Sequence, residues 1–429
     1  MSVLVRGFLY RIVFMALGFV ISLLIAKQAG AALFGNISLM IVNAAVFQIV
    51  TGLGTDAAIV WHGARGGDVF KKKAFTFTLL TAAAQILLFI TAAFVFIHFF
   101  GRSILSHNRT PGIFYAELIY FSGLVLTEKF SSLFYSQQKA ALCSKILAIV
   151  TFLFIIILLT AGRMRTLMLP DNLFWFFCII PLGQAVSLSA VYFYLFSFSG
   201  QWLSRQDFSS LINFSLIVFL TNLIQFFAYR TDYWIINYYK GIDTVGVYAQ
   251  ATRFAQLLWL APNIVASLLI PQLASQHKAF DLRRFGGVIR LSVYFSAALF
   301  FLIVCGAWVI YKEFLPKQYF SGYTALLIML PGYALFTASI LLAAFFSSQR
   351  MLWINFTGSL ICFVVILSAD FILIPQYGIE GAAVSNTIAY SATTVYFVYL
   401  FIQKTRTSFS EIVKFRKKDI QQFIKKTEL

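Results

Sequence analysis

The chemistry available to this chain lies in a few ionisable side chains set inside long apolar runs. They are Arg11, Asp56, Glu128 beside Lys129, Arg230 with Asp232, Arg253 and Asp370. A charge at the middle of a bilayer costs about 2.5–3.5 kcal/mol even on lenient insertion scales, so one kept there faces a cavity or a partner. The cations suit an anionic ligand, because guanidinium forks bind phosphate oxygens bidentately. Arg230, Arg253, Lys129 and Arg11 are therefore candidate substrate-binding residues. The acids suit a coupling ion, because hard cations take oxygen ligands. Asp232 and Asp370 are candidates for it, with Asn386 and Thr387 from the last apolar run; Ser385 adds a hydroxyl beside them. Each assignment has a structural alternative. Asp232 can pair with Arg253, Asp370 can cap a helix or meet an arginine, and Arg11 lies near enough to a span end to snorkel.

Other chemistries find no support. The four cysteines and four histidines are scattered, without metal-ligand spacing or a disulfide framework. No Gly-rich phosphate loop, catalytic triad or paired-carboxylate pocket is visible, and the chain is read as a non-enzyme with no bound cofactor beyond a coupled Na+ or H+. Asn108-Arg-Thr110 fits a glycosylation sequon, a pattern common by chance.

The elements that hold these side chains must be membrane helices. Of 429 residues, 60% are hydrophobic and 11% charged, against roughly 25% charged in soluble domains. A crossing needs about 20 apolar residues. Spans are expected at 7–27, 36–60, 74–100, 114–137, 145–162 and 173–198, then at 210–239, 243–273, 286–311, 322–347, 354–374 and 380–403. The net charge of +18 would suggest nucleic acid in a soluble protein, but Lys and Arg fall mainly between the apolar runs. They number about twenty on one side and eight on the other, which puts both termini in the cytoplasm. The Arg163/Arg165 loop runs against this bias. Nucleic acid is excluded as a partner, membrane lipid is one, and the chain is expected to act as a monomer. Residues 404–429 form a basic tail, read either as an interfacial helix or as a frayed end.

The halves repeat. Gly30 and Gly35 follow the first span, and Gly241 and Gly246 follow the seventh, at an offset of 211 (241 − 30 and 246 − 35). An even number of crossings separates them, so the repeat is parallel, with its axis along the membrane normal. The expected fold is all-α and polytopic. About twelve transmembrane helices make two six-helix lobes, 1–205 and 206–403, related by a pseudo-two-fold. Such lobes rock to expose a shared cavity to either side in turn.

Several stretches carry a resemblance. Ala26-Lys-Gln-Ala-Gly30, continuing to Gly35, resembles the link after the first helix of bacterial polysaccharide transporters. Asp232-Tyr-Trp-Ile-Ile-Asn237 with Gly241, Gly246 and Tyr248 resembles their passage from helix 7 to helix 8, with Arg253 five residues beyond the tyrosine. Ile374-Pro-Gln-Tyr-Gly378 is similar to their helix 11–12 link, and the stretch around Pro271 to the end of their helix 8. The resemblance implies the multidrug/oligosaccharidyl-lipid/polysaccharide exporter fold in a bacterial inner membrane. It implies a flippase that moves an undecaprenyl-pyrophosphate-linked oligosaccharide, such as an O-antigen or capsule unit, to the outer leaflet. A polymerase and glycosyltransferases of the same pathway would be its partners. It also implies that Arg253 lies near a pyrophosphate-holding position, and that Asp232, with Asp370 and Thr387, lies where related lipid II flippases bind sodium. Two departures stand out: those flippases have fourteen spans, and many polysaccharide transporters have an apolar or amide residue in place of Asp370. A multidrug or organic-cation exporter of the same fold, or a lipid II flippase, is the alternative.

Overall fold

The computed structural model describes residues 3–65, 67–101, 103–106, 111–161, 169–196, 202–263, 265–266, 282–349 and 351–406. The tail beyond Arg406, the Pro271 stretch, the Arg163/Arg165 loop and the Asn108 sequon lie outside them. Twelve α-helices follow in order: α1 (Val3–Gly52), α2 (Thr55–Arg65), α3 (Gly67–Phe100), α4 (Pro111–Ser136), α5 (Ala140–Ala161), α6 (Pro170–Leu195), α7 (Arg205–Lys240), α8 (Ile242–Gln256), α9 (Leu282–Val309), α10 (Ser321–Ser348), α11 (Leu352–Tyr377) and α12 (Ile379–Thr405). No strand occurs among the described residues.

Among the described residues, eight stretches are long and apolar enough to cross a membrane. The first, Arg6–Gly52, is 47 residues long and holds two of the expected crossings. Gly30 divides it, with φ 70° and ψ 176°, a conformation essentially reserved for glycine. Gly241 separates α7 from α8 with φ 86° and ψ 172°. The two glycines aligned by the sequence repeat thus share one backbone geometry. α4 and α12 have crossing length, 26 and 27 residues, with more polar side chains. Large apolar residues such as Leu87, Phe94, Phe301 and Val395 are exposed, as expected where lipid is the solvent.

The chain forms two compact units, Met1–Phe226 and Phe227–Leu429. The division falls within α7 rather than at residue 205. The first part of α7 belongs to unit 1: Leu211 enters its core with Ala58, Phe134 and Leu188, and Trp61 stacks on Phe214 at 5.1 Å. A Cβ on Gly54 would lie 2.5 Å from the Ser215 carbonyl oxygen. Small residues allow such close approach in membrane bundles. Elsewhere in unit 1, Gly123 of α4 faces the α6 backbone at Pro181 and Leu182. In unit 2, Gly332 of α10 faces Thr387 of α12, and Phe285, Leu341, Phe346 and Phe401 form an apolar core.

Candidate functional site

Two helical hairpins in unit 2 place the site. Asp232 lies nine residues before Gly241 and Tyr248 seven after it (241 − 232 and 248 − 241). Asp370 lies eight before Gly378 and Asn386 eight after it (378 − 370 and 386 − 378). At 1.5 Å per residue, each of the four is on the order of 10–14 Å from its link, so partners in a hairpin share a depth. Lys240 ties the hairpin tips together by donating to the Pro375 carbonyl at 2.9 Å.

At that depth Asp232 is 2% exposed and Asp370 fully buried. One oxygen of Asp232, Oδ1, accepts the Tyr233 amide at 2.9 Å. The other, Oδ2, accepts the Tyr248 hydroxyl and, at 3.3 Å, the Asn386 amide. Asn386 also donates to the Tyr248 oxygen at 2.6 Å. Asp370 repels Asp232 electrostatically and adjoins the Ser385 hydroxyl, which donates to the Gly381 carbonyl at 3.1 Å, so neither Asp370 oxygen accepts a hydrogen bond of good geometry. The amide oxygen of Asn386 is likewise without one. The two Asp370 oxygens and the Asn386 amide oxygen are acceptors left open beside Asp232, a ligand set that a hard cation or a proton fits.

Arg230 adjoins this centre, two residues before Asp232. It donates to the Tyr233 hydroxyl at 2.9 Å and packs 5.2 Å from that ring. The Tyr233 hydroxyl meets the Thr252 hydroxyl at 2.8 Å, and Thr252 donates onward to the Ala249 carbonyl. Tyr233 therefore joins both networks: its amide holds Asp232 and its hydroxyl holds Arg230. Trp259 stacks on Tyr333 with centroids 4.4 Å apart, and Tyr390 meets Tyr333 edge-on at 5.0 Å. Arg230 interacts electrostatically with both tyrosines. Arg253, half-buried on α8, acts on Tyr319.

The structure brings together Asp232, Asp370, Asn386 and Arg230, and it places Thr387 and Lys129 against other partners. Thr387 is not part of the oxygen set. Its hydroxyl donates to the Ile328 carbonyl at 2.7 Å, because one residue along a helix turns a side chain by about 100°. The hydrogen-bond partners of Asp232 are Tyr248, Asn386 and the Tyr233 amide, and Arg230 attracts it electrostatically. Lys129 belongs to unit 1 and is no open cation. It is 1% exposed, 3.0 Å from Asp56 Oδ2 and 3.0 Å from the Thr55 hydroxyl. Arg11, also in unit 1, is half-buried near Tyr135 and Cys143. No group of three or more His, Cys, Asp or Glu among the described residues could hold a metal ion. Tyr248 and Tyr233 were missed by sequence reasoning, although their spacing from Gly241 and Asp232 carried the signal.

These features define a multi-pass membrane protein with an ionisable centre buried among its helices. A family profile described as polysaccharide biosynthesis protein matches residues 24–321, and the chain belongs to that family. The lipid II flippase MurJ, in an inward closed conformation, has the same fold: TM-score 0.69 at 13% identity, over 95% of this chain and 88% of that one. An outward-facing multidrug resistance MATE family transporter of the MOP superfamily gives 0.67 at 14% identity, over 94% and 96% of the two chains. An inward-facing one gives 0.60 at 14%, over 95% and 96%. No curated protein matches the chain by sequence.

Proposed function

We propose that this protein is a flippase for an undecaprenyl-pyrophosphate-linked oligosaccharide, working by alternating access and coupled to a cation. One observation carries the reading: a buried acid pair, with the Asp370 oxygens unsatisfied, stands beside Arg230 in a member of a polysaccharide biosynthesis family. Arg230 and Arg253 bind the pyrophosphate. Of the five donors on a guanidinium, the Tyr233 hydroxyl engages one nitrogen of Arg230, so donors remain for phosphate oxygens. Asp232, Asp370 and Asn386 would hold sodium or a proton, which would supply the positive charge that two neighbouring carboxylates lack. Tyr233 sets the position of both Asp232 and Arg230, so a shift at the acids is felt at the cation. O-antigen or capsule units are the cargo class this reading favours, in the bacterial inner membrane.

The test is translocation of a fluorescent lipid-linked oligosaccharide in proteoliposomes. Arg230→Gln and Arg253→Gln should each slow it about tenfold or more, the loss expected for a charge-assisted hydrogen bond of roughly 1.5–3 kcal/mol. Wild-type rates in both variants would sink the pyrophosphate assignment. Efflux of cationic dyes without glycolipid transfer would point to a drug exporter of the same fold.

A further inference from the structure

A second ionic centre lies in unit 1, where the second crossing bends. Leu53 and Gly54 both have positive φ there, 47° and 70°, and separate α1 from α2. Asp56 follows the bend, and Lys129 of α4 neutralises it at 3.0 Å. Lys129 also attracts Glu128, but its hydrogen bonds go to Asp56 and Thr55, so one cation serves two acids. Glu128 differs from its neighbour in exposure: Lys129 is buried, and Glu128 is exposed. Yet Glu128 sits eight residues from the end of a 26-residue helix, about 12 Å along its axis. An exposed carboxylate at such depth faces a polar space rather than hydrocarbon. The amide of Gln48, one turn before Gly52 on α1, donates to one Glu128 oxygen and fixes the carboxylate.

An independent observation comes from Gln85 of α3. It is 2% exposed, and neither its amide nitrogen nor its amide oxygen has a partner. It points at the same bend: a Cβ on Gly52 would lie 3.2 Å from Gln85 Nε2 and 3.9 Å from Asp56 Oδ2. A group that satisfies an amide on both sides and also donates to a carboxylate is a hydroxyl. Net negative charge makes the same place hostile to phosphate and to carboxylate-bearing sugars.

From this we infer that the Gln48–Glu128 pair is a glycan-binding subsite that takes hydroxyl-bearing, uncharged sugars and rejects uronic acids. The inference rests on the flippase reading for its biological setting. Lys129 offsets one of the two acid charges, so Asp56 and Glu128 together keep a net negative charge toward the ligand.

The experiment uses two soluble probes and the full-length protein in lipid nanodiscs. One probe is a neutral tetrasaccharide of hexose and N-acetylhexosamine; the other has one hexose replaced by its uronic acid. Saturation-transfer NMR reads the binding of each. Wild type should bind the neutral probe more tightly. Glu128→Gln should weaken the neutral probe about tenfold, the loss of a charge-assisted hydrogen bond, and close the gap between probes. Glu128→Asp, which keeps the charge, should preserve the order of preference, and Gln48→Ala, which disturbs no charge, should weaken the neutral probe if Glu128→Gln fails to fold. Equal binding of both probes by wild type, binding of neither, or an unchanged gap in Glu128→Gln overturns the proposal. Discrimination between the probes without any glycolipid translocation would keep this subsite and discard the flippase reading.

Discussion

Asp370 is the residue whose situation most needs a ligand. Its carboxylate is fully buried and faces the charge of Asp232, with the Ser385 hydroxyl as its polar neighbour. An isolated buried ion is too costly to keep without compensation, and in practice it binds a cation or takes up a proton. Two arms of a thermal melt separate these outcomes. Sodium present at a hundredfold its dissociation constant should stabilise the wild type by about 2.7 kcal/mol, and potassium at equal concentration should not. Asp370→Asn removes the uncompensated charge, so the variant should be no less stable than wild type without sodium and should gain nothing from adding it. A sodium-induced gain that survives in Asp370→Asn would move the ion elsewhere. Much of this centre is legible before any fold is known. Asp232, Asp370 and Asn386 stand out because charge and amide are rare in apolar runs. Tyr248 does not, because a tyrosine in such a run reads as packing or interface. Lys129 is misread for a related reason: its partner Asp56 is 73 residues away, and only the packing of α4 on the bend unites them.

At the scale of elements, two glycine links carry the repeat. Gly30 and Gly241 adopt nearly one conformation, φ 70° and 86° with ψ 176° and 172°. A residue with a Cβ pays roughly 1–3 kcal/mol in that region. Nothing stands within 4 Å of a Cβ built on Gly241, so an alanine there meets strain without a clash. Gly241→Ala should therefore lower stability by about that amount. It should also slow translocation, because the link sets the depth at which Asp232 meets Tyr248. A melting temperature equal to wild type with full transport would show that the link is not needed for registration. The repeat was readable from two glycines at one offset, and so were the spans, since hydropathy reports length and apolarity directly. The bend at Leu53 and Gly54 was not readable. A single break after Gly52 in an apolar run has no hydropathy signature, yet it is what lets Gln85 approach Asp56. The place where α7 passes from one unit to the other was equally hidden, because it depends on which neighbours Leu211 and Phe214 find.

At the scale of the whole molecule, orientation decides what the ionic centres can serve. If both termini are cytoplasmic, as we propose from the Lys and Arg bias, the links at Gly30, Gly241 and Gly378 would face outward, and Glu128 would lie nearer the inner face than Glu117 of the same helix. The Lys and Arg bias of about twenty to eight favours this orientation, and the Arg163/Arg165 connection between α5 and α6 runs against it. If that connection were inward, α5 and α6 would be inverted, and the bond from Thr127 of α4 to the Pro181 carbonyl of α6, at 2.9 Å, would have to form between helices in a different order. The close approach of Gly123 to Leu182 likewise holds α6 against α4 in one register. Packing thus outweighs two charges, each worth little as an orientation signal in a loop when the tail and the other loops agree. Single cysteines decide it. In a variant with Cys143, Cys178, Cys305 and Cys362 replaced by alanine, cysteine is introduced at one of four exposed positions, Lys139, Asp171, Lys317 or Lys404. A membrane-impermeant maleimide applied to intact spheroplasts should label Asp171→Cys and Lys317→Cys at once. It should reach Lys139→Cys and Lys404→Cys only after permeabilisation. Protection of Asp171→Cys in intact cells would invert α5 and α6, and with them the register that α4 keeps for Glu128 and Lys129.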